Sequence, residues 1–153
     1  MAFESIIRNR LKEKQILLMT HLVLGYPSLE KCYRLIETMV HAGVDIMDSI
    51  IPTKYARERT LFTFRGPINL TKKKKYRKDK YPIDPNCTCY TCRHVSRAYL
   101  YHLYQTTTTS AQIFAALHNT AFCLRILQDA RQAILEERFE QYYSNFMENY
   151  MNS

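Results

Sequence analysis

Cys87, Cys89, Cys92 and His118 form the pattern C-x-C-x2-C-x25-H. Three soft thiolates within six residues, with an imidazole further on, are the donor set of tetrahedral zinc. Cysteines this close rarely reach disulfide geometry with one another without strain. The alternative to a metal site is a set of scattered reduced thiols. With zinc bound, four protein ligands would fill every coordination position. Such a site is structural, because no position is left for water. Any fold for this chain must then bring the cysteine knuckle and the segment around His118 to one point.

The chain has 153 residues, enough for one domain or two small ones. Its 46% hydrophobic content is too high for a disordered chain. It has only 3 glycines and neither G-x-G-x-x-G nor G-x-x-x-x-G-K-[ST], which argues against phosphate-cradling glycine loops. The N-terminal MAFESIIRNRLKEK lacks the apolar core of a signal peptide. No apolar run approaches the ~20 residues of a membrane span, so no membrane is expected as a partner. With five cysteines and no secretion signal, the expected compartment is a reducing cytosol. Cys32 and Cys123 lie in helical patterns and read as small buried apolar residues.

Charge is concentrated in one stretch. Residues 54–80 hold Lys54, Arg57, Arg59, Arg65, Lys72, Lys73, Lys74, Lys75, Arg77, Lys78 and Lys80 against only Glu58 and Asp79, an excess of nine. The whole chain carries +8. Such a cluster favours a polyanion, most simply nucleic acid, through counterion release at phosphates. A solvated basic loop or a localisation tag is the alternative.

Periodicity predicts a helix over 3–14, a buried parallel strand over 16–24, a helix from Ser28 to Gly43 and a short strand over 44–47 ending at Asp48. That order is one β-α-β unit with a preceding helix. Residues 52–82 read as basic and irregular, with strand-like pieces at 60–64 and 68–70. Beyond the knuckle, residues 93–104 are predicted helical, and the β-branched run Thr106–Thr109 should interrupt them. A long helix follows from about Ala111 to Arg138, its apolar side formed by Ile113, Phe114, Leu117, Ala121, Leu124, Leu127 and Ile134. The tail from Phe139 is expected to be a short or frayed helix.

Several segments carry a family resemblance: Asp48–Arg57 (DSIIPTKYAR), Leu61–Leu70 (LFTFRGPINL), Pro82–Arg93 (PIDPNCTCYTCR), Ser96–Leu100, His118–Phe122 and Arg131–Phe139. Together they resemble the C-terminal end of a tRNA-guanine transglycosylase, over about two-thirds of the chain. The resemblance implies that zinc is held by Cys87, Cys89, Cys92 and His118. It implies that Asp48 is the nucleophile that attacks ribose C1′, expelling guanine and forming a covalent tRNA intermediate before a queuosine precursor or queuine enters. A carboxylate is a competent nucleophile for such an oxocarbenium-like carbon. Pro52-Thr53-Lys54 and Arg57 match the family's phosphate-contacting loop, with Lys54 in place of an Arg. The partner implied is tRNA, with Lys54, Arg57, Lys72, Lys73, Lys74 and Lys75 as candidate contacts. A homodimer through the helix Ser96–Tyr104, offering Tyr99, Tyr101, His102 and Tyr104, is implied as well.

Residues 1–47 resemble something else. Phe3–Leu11, Leu18–Thr20, Gly25–Ser28 and Ala42–Met47 are similar to the start of a tryptophan synthase alpha subunit. Both families are (β/α)8 barrels. The fold class expected is therefore α/β: partial (β/α)8-barrel segments followed by a mainly helical zinc-binding subdomain, with residues 1–47 a β-α-β segment and 48–153 the transglycosylase-like segment that holds the zinc subdomain. A barrel needs ~200 residues, so the resemblance implies a glycosyltransferase lacking most of its barrel. It would be inactive alone or completed by a chain that supplies the barrel. The alternatives are a non-catalytic RNA-binding zinc module and a tryptophan synthase alpha remnant.

Overall fold

Two strands and a helical body follow one another along the chain. The computed structural model describes residues 12, 19–21, 46–71 and 74–151, which fall in two units, Met1–Ile51 and Pro52–Ser153. In the first unit, β1 (Met19–His21) pairs in parallel with β2 (Ile46–Asp48), with Met19 opposite Ile46, Thr20 opposite Met47 and His21 opposite Asp48. Parallel pairing requires a long crossover, as the β-α-β pattern predicts. Among the described residues this sheet has two strands, a parallel pair. The helices predicted over 3–14 and 28–43, and Cys32, lie outside the described residues.

The second unit begins in α1 (Ile51–Arg57). Pro52 sits in its first turn, where a missing N–H costs nothing. A short antiparallel hairpin follows, β3 (Thr60–Leu61) with β4 (Ile68–Asn69). The turn between them needs glycine: Gly66 has φ of 90°, donates to the Thr63 carbonyl at 3.1 Å and accepts from the Thr63 hydroxyl at 2.7 Å. The strand-like pieces expected at 60–64 and 68–70 thus pair over two residues each. Four further helices complete the unit: α2 (Tyr90–His94), α3 (Arg97–Thr106), α4 (Thr108–Leu135) and α5 (Phe139–Met151).

The helix boundaries correct four expectations. The single helix predicted over 93–104 is two, because the chain is extended at Val95 and Ser96. Ser96 Oγ then caps α3 by accepting from the Tyr99 N–H, while Arg97 and Ala98 donate to the carbonyls of Tyr81 and Asp79. The first-turn donors of α3 are thereby satisfied. The interruption expected at Thr106–Thr109 is a single residue, Thr107, which ends α3 and starts α4. At its far end α4 stops at Leu135, short of Arg138. The Glu137 N–H donates to Ile134 and the Arg138 N–H to Ala133, a Schellman closure with Glu137 at φ of 55°. The tail from Phe139 is a full 13-residue helix.

The core lies where the hairpin, α3 and α4 meet: Leu61, Leu70, Ile83, Leu100, Leu103, Ala111 and Ala115 are buried there. Tyr104 belongs to the same core. Its hydroxyl donates to the Ala56 carbonyl at 2.6 Å, and burial pushes its pKa up to about 12, against the opposing charge of Arg59. An aromatic column of Tyr55, Phe62, Phe122, Phe64 and Phe146, with centroids 4.9 to 6.4 Å apart, ties α1, the hairpin, α4 and α5 together.

Most of the apolar side predicted for α4 lies opposite the side it buries, though Phe114 and Ala121 are half-buried and Phe114 packs against the core. Ala111, Ala115, His118, Asn119, Phe122 and Ala133 face the core. Ile113, Leu117, Leu124, Leu127 and Ile134 are exposed. Periodicity finds a stripe but cannot tell that a neighbouring core with little space will take the small residues instead.

Two predictions follow from this packing. Asn119 is fully buried. It accepts from the Phe62 N–H at 3.1 Å and donates to the carbonyls of Pro52 and Thr60. Asn119→Ala removes these three bonds, leaves the buried Phe62 N–H without this acceptor and should cost about 2 kcal/mol in urea unfolding. Glu137→Gly removes a side chain from the left-handed region and should stabilise by about 1 kcal/mol in the same assay.

Candidate metal centre

The knuckle is built before any metal is considered. Asp84 organises it. Its Oδ1 accepts from the Asn86 N–H at 2.9 Å, and its backbone carbonyl accepts from the Cys87 N–H at 3.1 Å. Its Oδ2 accepts from the Phe64 N–H at 3.0 Å, which fastens this turn to the hairpin loop. Cys89 then serves as N-cap of α2, its sulfur accepting from the Cys92 N–H at 3.4 Å. That bond favours thiolate at Cys89 and places Cys92 on the inner side of the first turn. Thr91 anchors the short helix by donating to the Phe114 carbonyl of α4 at 2.8 Å.

His118 comes to this point from the middle of α4 and is fully buried. Its Nε2 lies 2.7 Å from the Phe62 carbonyl, which can only accept, so Nε2 carries the proton. Nδ1 is thereby turned to the sulfurs, 3.3 Å from Cys92 Sγ and 3.6 Å from Cys89 Sγ. The ligand atoms of Cys87, Cys89, Cys92 and His118 all lie within 4.8 Å of one another. A tetrahedral ion with bonds of about 2.3 Å to sulfur and 2.0–2.1 Å to nitrogen needs sulfur–nitrogen separations of about 3.6 Å and sulfur–sulfur separations of about 3.8 Å. The two His118 Nδ1–sulfur distances of 3.3 and 3.6 Å lie close to the sulfur–nitrogen value, and all four predicted ligands converge within 4.8 Å.

The electrostatics call for a cation at the centre. Burial alone would raise the Cys89 thiol, but hydrogen bonds with His118, the Cys92 N–H and Cys87 bring it down to about 6. At Cys92 burial prevails, and the thiol is raised. Burial opposes charge on His118, yet its bonds to Cys87, Cys89, Cys92 and the Phe62 carbonyl hold its pKa up to about 12. A proton on Nδ1 supplies the positive charge that the sulfurs favour. A metal ion at the same point would displace it, since ligands must be deprotonated to bind. The remaining thiol of this unit, Cys123, is half-buried on α4 and raised by that burial, as expected of an inert cysteine.

The other candidate residues stand elsewhere. Asp48 is the exposed last residue of β2, in the first unit. Lys54 and Arg57 lie on α1, with Arg57 exposed. Lys74 and Lys75 are exposed on a 3-10 turn, Lys74–Lys78, while Lys72 and Lys73 lie outside the described residues. This basic turn is not a loose loop. Its Tyr76 is buried, with Lys75 and Arg97 stacked at 5.2 and 5.7 Å from the ring centroid. Arg97 also pairs with Asp79 at 2.9 Å. On α3, Tyr99 and His102 are exposed, but Tyr104 is buried and unavailable for the aromatic contact suggested for it.

Sequence reasoning missed Asp84, Thr91, Asn119 and the carbonyl of Phe62. Only Asp84 had a signal, since Asp-Pro-Asn is a turn sequence whose carboxylate caps the following N–H. Loading tests the cluster directly. The chain should take up one cobalt(II) ion, with the ligand-field bands of a tetrahedral thiolate site. Cys92→Ser should weaken binding by more than the roughly 10–100-fold typical of outer-shell changes.

Comparison with known proteins agrees with this geometry. Residues 32–152 match the queuine tRNA-ribosyltransferase family. The chain is 44% identical over 111 residues to the queuine tRNA-ribosyltransferase of Helicobacter acinonychis, covering 72% of this chain and 30% of that protein. It is 43% identical over 113 residues to the enzyme of the same name from Treponema denticola, covering 74% and 30%. The chain thus spans about 30% of the length of the curated relatives it matches. No helix among the described residues is long and apolar enough to cross a membrane. Its matched residues include the whole metal cluster and the carboxylate Asp48, and on that basis the chain belongs to the queuine tRNA-ribosyltransferase family.

Proposed function

We propose that this chain is a zinc-bearing portion of a tRNA-guanine transglycosylase, acting on tRNA in the cytoplasm. The observation that carries the reading is the closed Cys87, Cys89, Cys92 and His118 cluster within the family match. Three thiolates and an imidazole are a zinc donor set. Zinc there acts as a clamp between the knuckle and α4 and leaves no position for water.

In this reading Asp48 is the nucleophile. Its carboxylate bonds to ribose C1′ as the bond to guanine breaks, and the incoming base then displaces the carboxylate. Lys54 and Arg57 contact phosphate, with Lys54 a point charge where a guanidinium fork would be bidentate. Lys72, Lys73, Lys74 and Lys75 add nonspecific attraction to the tRNA backbone. The 153 residues span about 30% of the length of the curated relatives they match. A nucleophile without a held substrate forgoes the orientation that supplies ~7–11 kcal/mol of a barrier. Base exchange by these residues alone is therefore not expected, and a chain supplying the rest of the barrel would restore it. The similarity of residues 1–47 to a tryptophan synthase alpha subunit is a proposal about the ancestry of that segment, which the family match overlaps from residue 32.

A non-catalytic RNA-binding zinc module is the second reading, favoured by the basic excess in residues 54–80. Native mass spectrometry should find one zinc per chain, lost in Cys89→Ser. Binding of tRNA should weaken with salt, and each phosphate-contacting lysine replaced in Lys72–Lys75 should reduce the salt slope by about 1. A covalent tRNA adduct, trapped in the presence of a full-length relative and absent in Asp48→Asn, supports the nucleophile. Binding without any adduct supports the second reading. No zinc and no tRNA binding would sink both.

A further inference from the structure

Helix α5, the hairpin loop and the knuckle turn enclose a groove of about 510 Å³, within the roughly 300–1,000 Å³ of small-molecule sites. The sequence of α5 builds its long wall. Residues four apart share a helix face. Gln141, Asn145 and Asn149 therefore form a row of amides, beside a row of rings, Tyr142 and Phe146. The rings are held by their neighbours. Tyr142 and Phe146 lie 24° from parallel with centroids 6.3 Å apart, and Phe64 of the hairpin loop meets Phe146 edge-on at 6.4 Å. The Tyr142 hydroxyl donates to the Ile126 carbonyl of α4 at 3.4 Å. All three rings are half-buried and line the groove.

The charge in the lining has one sign. Arg65 comes from the hairpin loop and Arg138 from the residue before α5, and no carboxylate lines the groove. Arg138 pairs with Glu136, which lies outside the lining. Arg65 is exposed and has no ion-pair partner among the described residues. The side-chain amides of Asn86, Gln141 and Asn145 have no hydrogen-bond partner among the described residues. Flat rings suit a planar aromatic group, and free amides suit the edge of a base. An unneutralised guanidinium suits a phosphate. An apolar ligand would bury the amides and Arg65 without partners. A bare anion would leave the rings and amides unused.

We infer that this groove binds an adenine nucleotide, with the base stacked on Tyr142 and Phe146, its edge on Gln141 and Asn145, and its phosphate on Arg65. Adenine is the base whose edge an amide meets bidentately, accepting one hydrogen bond and donating another. The two donors on the Watson–Crick edge of guanine are met best by a carboxylate, which the groove lacks. A free nucleotide and one unpaired nucleotide of an RNA strand offer the same base and phosphate. The lining includes neither the metal ligands nor Lys54, Arg57 or Lys72–Lys75, so this site does not rest on the tRNA reading.

Isothermal titration calorimetry of the full chain with AMP at low salt tests it, with metal content and far-UV circular dichroism as folding controls. The expected result is saturable one-to-one binding, at least about tenfold tighter than that of inorganic phosphate, adenosine or UMP. Phe146→Leu keeps the apolar bulk but removes a stacking face, and should weaken AMP binding about fivefold or more. Asn145→Leu should weaken it similarly, and Arg65→Gln should bring AMP to the level of adenosine. Arg131→Gln, on α4 outside the groove, should leave binding unchanged. A short oligoadenylate separates the two sources. Binding at least about tenfold tighter than AMP, weakened by the same substitutions, assigns an RNA strand, and equal binding assigns the free nucleotide. No saturable binding of AMP or oligoadenylate overturns the inference. So does phosphate binding as tight as that of AMP, which marks a basic surface only. Binding unmoved by Phe146→Leu, Asn145→Leu and Arg65→Gln in folded protein overturns it as well.

Discussion

One turn of α4 holds the second unit together. His118 gives its Nε2 proton to the Phe62 carbonyl, and its neighbour Asn119 takes the Phe62 N–H while donating to Pro52 and Thr60. Both polar groups of one hairpin residue are thus met by adjacent side chains of one helix. Adjacent residues lie about 100° apart around a helix axis, so the pair reaches two sides of the same strand at once. The remaining nitrogen of His118 is left aimed at the cysteines. The hydrogen bond to the hairpin therefore sets the ring that faces the metal point, as outer-shell partners of ligating histidines commonly do.

The knuckle shows the same economy of parts. The sulfur of Cys89 both faces the centre and caps α2, and the carboxylate of Asp84 both shapes the turn and fastens it to the loop after β3. No described buried side-chain polar atom lacks a partner. For a chain with 3 glycines, this side-chain satisfaction replaces the flexible glycine turns that many small metal sites use. The same economy explains Glu137, which closes α4 in a conformation that glycine adopts more easily.

The basic segment is organised by packing rather than left free. Arg97 bonds to Asp79 and to the Ile83 carbonyl and lies over Tyr76, which ties the 3-10 turn to the start of α3. Burial works against charge on Asp79, but the Tyr81 N–H and Arg97 outweigh it and hold its carboxyl below the usual range. The exposed Lys74 and Lys75 are consequently displayed from a fixed platform.

The convergence of Cys87, Cys89, Cys92 and His118 was legible in the sequence, because soft donors at short spacing have few other uses. The parallel pairing of β1 and β2 was legible as well, since a β-α-β pattern leaves little choice of direction. Local chemistry at these positions outweighs context. The sequence alone did not decide which side of α4 is buried. Leucines at helical spacing mark an apolar stripe, yet the side of α4 turned to the core carries Ala111, Ala115, the hydrogen-bonding pair His118 and Asn119, and Phe122. It also did not reveal that Phe62, through its backbone alone, orients the metal-facing histidine. Backbone groups have no letter in a sequence, and whether a given carbonyl meets a given ring is settled only when distant segments pack.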